Sequence, residues 1–124
     1  MSSADRTCVE DVMSTPLRTI APDATVQEAA TTMRDHDISA LLVTTAPPSI
    51  VTSSDVLDAV AAGRDTAELP VSEVMTESVE TVPPDLSLKE VAAMMTSFGI
   101  KHLPVAADDY VGMVSSTDVT AHLA

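Results

Sequence analysis

The sequence predicts an α+β fold made of two like halves, each running short strand, helix, strand, strand, helix. Three observations carry that reading. First, the 124-residue chain repeats itself. Val12-Met13, Thr19-Ile20 and Pro22-Asp23 recur 62 positions on as Val74-Met75, Thr81-Val82 and Pro84-Asp85, and the offset holds through Leu41 and Leu103, Val43 and Val105. It then slips by one residue, so that Ile50–Val56 lies over Met113–Val119. Second, each half carries a helical stripe introduced by a capping signal. Third, each stripe is followed by two short apolar runs bounded by breakers. A repeat that fills nearly the whole chain places function in the repeat or between its copies.

Taken in order, Val9 to Met13 reads as a half-turn of helix and Thr19-Ile20 as a short extended stretch. Thr25 with Glu28 three residues later is a capping box, opening a helix whose Val26, Ala29, Ala30 and Met33 share one stripe and whose stop falls near His36-Asp37. Ile38 to Thr44 and Ser49 to Thr52 read as strands, the second leading straight into a helix over Ser53 to Ala62. The polar, breaker-rich stretch 63–70 separates a first repeat, 9–62, from a second, 71–124. There the order recurs: half-turn Val71 to Met75, extended Thr81-Val82, and a box of Ser87 with Glu90. That box opens a helix bearing Leu88, Val91, Ala92, Met95 and Phe98. Gly99 ends it. Strands Ile100 to Ala106 and Tyr110 to Ser115 and a helix Ser116 to Leu123 complete the copy.

Each half alone is too small to bury much surface, so the copies are expected to share a core. Phe98 and Tyr110 are the only aromatic residues, which leaves Val, Ile, Leu, Ala and seven Met to build it. Met13, Met33, Met75, Met94, Met95 and Met113 accordingly read as core and not as cofactor contacts.

Nineteen acidic against six basic residues give a net charge of -13. Such a field repels nucleic acid and anionic membranes, which excludes both as partners. Spread-out, Asp-rich, Lys-poor acidity with no run of five like charges reads as a solvated face suited to high salt, as in a halophile. A single cysteine, Cys8, excludes an internal disulfide and reads as an exposed spectator thiol. No apolar stretch approaches the roughly 20 residues that span a bilayer, and Asp5 and Glu10 stand where a signal sequence would be basic and then apolar. A soluble, cytoplasmic protein is expected. The three histidines and the cysteine lack metal-ligand spacing, and no serine has a base and an orienting partner in any recognisable arrangement. Neither a metal site nor an enzyme is expected.

The informative chemistry lies where the last strand of each copy turns into its last helix. Thr52-Ser53-Ser54-Asp55 and Ser115-Ser116-Thr117-Asp118 each set three hydroxyls and a carboxylate around a helix N-terminus. Free N–H groups and the positive end of the helix dipole can hold a phosphate there, while a carboxylate can accept both hydroxyl protons of a ribose. The same residues are also preferred helix caps, so cap and ligand site are both open at this point.

On Asp11-Val12-Met13, Glu73-Val74-Met75, the run Gly99 to Val105 and the run Gly112 to Asp118, the chain resembles a tandem pair of CBS domains, the Bateman module. The resemblance covers about residues 9 to 124. It implies two copies packed with pseudo-two-fold symmetry, a cleft on each side, and an adenosine-containing ligand such as AMP, ADP, ATP or S-adenosylmethionine, with no required cofactor. By resemblance, Thr52 and Asp55, with Ser54 beside them, and Ser115 and Asp118, with Thr117, hold phosphate and ribose. Thr19, Ile20 and Ile38 to Leu41, including Ala40, line adenine in one site; Thr81, Val82 and Ile100 to Leu103 do so in the other. Gly112 stands where backbone must approach a ligand, and Lys101 and His102 offer phosphate partners, where copy one has Ser49, Ser39 and Ala40. His102 also reads as an ordinary half-buried strand residue. The site at Asp118 is therefore expected to be the stronger. The resemblance further implies a homodimer joined through helices and leaves room for a protein target. The competing reading is a structural or dimerising module whose hydroxyl clusters are only caps.

Overall fold

In the computed structural model of the chain, residues 7–77 and 79–123 are described. The fold is mixed α+β. After a 3-10 turn at Val9–Asp11 come β1 (Thr19–Ile20), α1 (Val26–His36), β2 (Ala40–Val43), β3 (Ser49–Thr52) and α2 (Ser53–Ala61). A second 3-10 turn, Val71–Glu73, precedes α3 (Leu88–Phe98), β4 (His102–Ala106), β5 (Tyr110–Ser115) and α4 (Ser116–Leu123).

The helix starts follow their caps. Thr25 accepts from the Glu28 N–H and the Glu28 carboxylate accepts from the Thr25 N–H, closing the box expected for α1. At α3 Ser87 accepts from the Glu90 N–H at 3.3 Å. Both helices end in a left-handed residue, Asp37 at φ 53° and Gly99 at φ 66°. The next N–H in each case, Ile38 or Ile100, returns to the carbonyl of Met33 or Met95. That Schellman closure is why β2 and β4 begin later than the apolar runs do: the N–H groups of Ile38 and Ile100 serve the helix end, not the sheet.

β1 lies parallel to β2, with Thr19 opposite Leu42, and β2 is antiparallel to β3, with Ala40 opposite Thr52. β4 is antiparallel to β5, with His102 opposite Ser115. The expected strand at Thr81-Val82 reduces to a single parallel bridge, Val82 to Val105.

The described chain forms two compact units, residues 18–79 and residues 7–17 with 80–123. These boundaries cut across the sequence repeats because each repeat lends its half-turn to the other. Val9 and Glu10 N–H donate to the carbonyls of Leu86 and Pro84, Leu88 N–H donates to Thr7, and Ser14 and Met113 bond each other in both directions. The mirror set follows: Val71 to Ala24, Ser72 to Pro22, Val26 to Leu69, and Thr76 with Ile50 in both directions. The sharing of a core expected from the sequence takes the form of this exchange, each unit's core drawing residues from both repeats. Val9, Val82, Leu88, Val91, Met95, Leu103, Val105, Val114 and Val119 cluster in one unit. Ala29, Met33, Leu41, Val43, Val51 and Val71, and then Val26, Ala59 and Leu69, cluster in the other. Val9 and Val71, both wholly buried, fill a place in the core of the opposite repeat. Burying one valine this way contributes about 1.5–3 kcal/mol.

Candidate functional site

α2 and α4 start at the residue after β3 and β5 end, so the last strand residue is also the helix cap. In the first copy the Thr52 N–H donates to Asp55 Oδ2 at 2.8 Å and the Thr52 hydroxyl donates to the same oxygen at 3.0 Å. The Asp55 N–H returns a 3.4 Å bond to Thr52 Oγ1. In the second copy the Ser115 N–H donates to Asp118 Oδ2 at 2.9 Å, and the Asp118 N–H donates to Ser115 Oγ at 3.1 Å. A further tie anchors each helix to the entry of its first long strand. Ser53 N–H donates to the Ser39 carbonyl at 2.9 Å and Ser116 N–H to the Lys101 carbonyl at 2.8 Å.

Each cluster is therefore a closed cap, and the anion-binding capacity expected of it is smaller than four free N–H groups would give. The N–H groups of Ser54 and Thr117 remain outside these bonds, under exposed side chains. So does the second oxygen of each aspartate, and Asp55 and Asp118 are both half-buried. A hydroxyl pair approaching from solvent would meet that oxygen first.

The other expected residues divide. Ala40 and His102 stand directly across the ladder from Thr52 and Ser115. Lys101 is exposed beside its cap, and Thr19 and Thr81 are exposed. Ile20, Ile38 and Ile100 are half-buried against their own unit's core. Leu41, Leu103 and Val82 are not available as adenine-lining side chains, since at 0–1 % exposure they belong to the cores. Only their backbone could face a ligand.

Gly112 needs a correction. A β-carbon there would stand 2.8 Å from both Met13 Sδ and the Ser14 carbonyl oxygen, so the close approach is made by the chain's own exchanged segment. In copy one the aligned Ser49 is buried, its hydroxyl 2.7 Å from that of Thr45.

The sequence reading missed Asp58 and Arg64. With Asp55, Ala59, Ala62 and Val74 they line an open hollow of about 250 Å³ on the first copy. Arg64 lies in the stretch read as linker, and its guanidinium pairs with Glu73 at 3.2 Å. Cys8 is half-buried; burial first, and then the carboxylates of Asp11, Glu10 and Asp85, push its thiol above the usual range. That environment disfavours the thiolate a nucleophile needs. His36 and His122 sit exposed in the last turns of α1 and α4. Among the described residues no three His, Cys, Asp or Glu side chains gather as a metal set, and no helix is long and apolar enough to cross a membrane.

The sequence profile of the CBS domain matches residues 9–62 and again 71–124. The chain belongs to the CBS domain family. It is similar to the CBS domain-containing protein YhcV of Bacillus subtilis, 33% identical over 118 residues that cover 92% of this chain and 84% of that one. Among solved structures, it resembles the CBS domain pair of protein MJ0100 in complex with 5′-methylthioadenosine and S-adenosyl-L-methionine. The TM-score is 0.83 at 30% identity, over 94% of this chain and 95% of that one. A hexameric CBS-CP12 protein from bloom-forming cyanobacteria has a TM-score of 0.88 at 26% identity, over 93% of this chain and 71% of that one. The two CBS matches follow the sequence repeats, whereas the compact units exchange their first segments.

Proposed function

We propose that this CBS pair is a non-catalytic regulatory module of the cytoplasm that binds an adenosine-containing ligand and signals by a change of conformation or oligomer contact. The observation that carries the reading is the Ser115–Asp118 cap: one carboxylate oxygen closes the helix, leaving the other for a ribose hydroxyl, with the Thr117 N–H and two side-chain hydroxyls beside it. The likeness to a CBS pair in complex with S-adenosylmethionine and methylthioadenosine supports this ligand class. Lys101 and His102, which copy one lacks, favour the Asp118 cluster as the stronger site. The ligand changes the module's state only as far as it binds the two states differently.

Calorimetry against AMP, ADP, ATP and S-adenosylmethionine tests the proposal, with Asp118→Ala expected to abolish the stronger binding and Asp55→Ala to remove any weaker one. A folded wild-type protein that binds none of the four at millimolar concentration overturns it.

One observation favours a dimerising role as a second reading. α2 exposes Leu57 and Val60, 68% and 56% accessible and three residues apart on one helical face. The double variant Leu57→Asp, Val60→Asp is expected to be monomeric by light scattering where the wild type is dimeric; a monomeric wild type ends this reading.

A further inference from the structure

The segment Thr7–Ser14 is seated in a unit other than the one into which its chain continues. Its backbone bonds go to Leu86, Pro84, Leu88 and Met113, and Val9, Val12 and Met13 pack into the core of residues 80–119. The chain then crosses into the other unit between Leu17 and Arg18. The connector is Thr15-Pro16-Leu17. Thr15 and Pro16 are exposed, and none of the three takes part in a described backbone hydrogen bond. Redirecting it therefore breaks no bond that the seated segment makes.

We propose that this seat also accepts the Thr7–Ser14 segment of a second copy of the chain, two copies exchanging it reciprocally. The occupant is set by fit. The seat has a place for Val9, which is wholly buried in it, and a glycine, Gly112, under Met13 and the Ser14 carbonyl. A second copy supplies all of these residues and re-forms every bond, so closed and exchanged forms differ chiefly in whether the connector closes within one chain. A short connector holds its own segment at an effective concentration of about 1 mM, which sets the protein concentration at which exchange competes.

Cys8 and Ser87 face each other as antiparallel partners across this seat. Directly opposed residues lie about 4.5–5.5 Å apart, within disulfide reach. The test mixes wild-type chain, whose one cysteine is Cys8, with the variant Cys8→Ser, Ser87→Cys. The mixture is unfolded, refolded at about 1 mM, equal to the effective concentration, and at about 10 µM, roughly a hundredfold below it, and then oxidised. Exchange is expected to give a covalent heterodimer at least tenfold more abundant after the concentrated refolding, and in excess of either homodimer. Heterodimer no more abundant than the homodimers overturns the proposal.

A second variant guards against failure of Ser87→Cys to fold. Deleting Pro16 and Leu17 leaves segment and seat intact and cuts the connector between Ser14 and Arg18 from three residues to one, which is expected to disfavour closure within one chain. Its mass by light scattering is expected to be twice that of the wild type at equal concentration. An unchanged mass overturns the proposal.

Discussion

The Ser14 carbonyl oxygen lies 2.8 Å from the position a β-carbon on Gly112 would take, so two residues almost a hundred positions apart are in backbone contact. Met13 Sδ crowds the same position at 2.8 Å. Gly112→Ala is therefore expected to destabilise the protein by about 1–3 kcal/mol, the usual cost of overpacking. Adding Met13→Ala frees only a flexible side chain and leaves the Ser14 backbone in place, so the double variant is not expected to recover wild-type stability. Urea denaturation measures both, and full rescue would place the conflict on Met13 alone.

Val9 and Val71 are equivalent in sequence and each is wholly buried in the opposite repeat's core. Val9→Ala and Val71→Ala are each expected to cost about 2 kcal/mol through the cavity left behind. The locations should cross. Native-state hydrogen exchange is expected to show Val9→Ala loosening α3, β4 and β5, and Val71→Ala loosening α1, β2 and β3. Loss of protection within the mutated residue's own repeat would contradict the exchange of segments.

The caps hold their helices whether or not anything binds. Thr52→Ala and Ser115→Ala, which remove hydroxyls accepting from Asp55 and Asp118 N–H groups, are each expected to cost about 1 kcal/mol in ligand-free protein. Asp118→Asn keeps an acceptor for the Ser115 N–H and is expected to cost less in stability than Asp118→Ala. It should still weaken nucleoside binding, since it loses one carboxylate oxygen. Denaturation and calorimetry on the same samples separate the two roles.

The Cys8 thiol is pushed up by burial and by the carboxylates of Asp11, Glu10 and Asp85. Because its folded-state value exceeds the unfolded one, its contribution to stability is complete below the ordinary thiol range and is lost as pH rises through the raised value. Alkylation by iodoacetamide near pH 8 is expected to be slower for the folded protein than for the urea-unfolded chain. Neutralising Asp11 and Glu10 as Asn and Gln should speed it. Equal rates for folded and unfolded protein would contradict the assignment.

Nineteen acidic residues meet six basic ones, and the ion pairs of Arg34 with Asp35 and of Arg64 with Glu73 are both exposed. Self-repulsion of the remaining carboxylates should yield to screening, whose length falls from about 10 Å at 0.1 M to about 3 Å at 1 M salt. The melting temperature is expected to rise over that range in potassium chloride. A flat or falling curve would contradict an acidic surface adapted to high salt.

Much of the fold was legible in local signals. Thr25 with Glu28, Gly99, and the switch from strand to helix at Thr52 and Ser115 mark element ends because capping and left-handed closure are settled within a few residues. The candidate clusters were legible for the same reason. Arg64 and Asp58 were not, since an arginine in a breaker-rich stretch gives no sign that the turn after α2 will bring it to the hollow that Asp55 and Asp58 line. Nor could the role of Gly112 be read, because its neighbour comes from the far end of the chain.

By itself the sequence determined the duplication, from its 62-residue repeat, and the membership of both copies in one family, from their motifs, together with the element order and the caps, which rest on short-range periodicity and hydrogen bonding. The tertiary structure alone decided which repeat each half-turn completes, that Leu41, Leu103 and Val82 are spent on the cores, and that Gly112 makes room for Ser14. Two copies built on one pattern present related seats. Only the path of the chain in three dimensions, not the local pattern, selects between a repeat's own half-turn and its neighbour's.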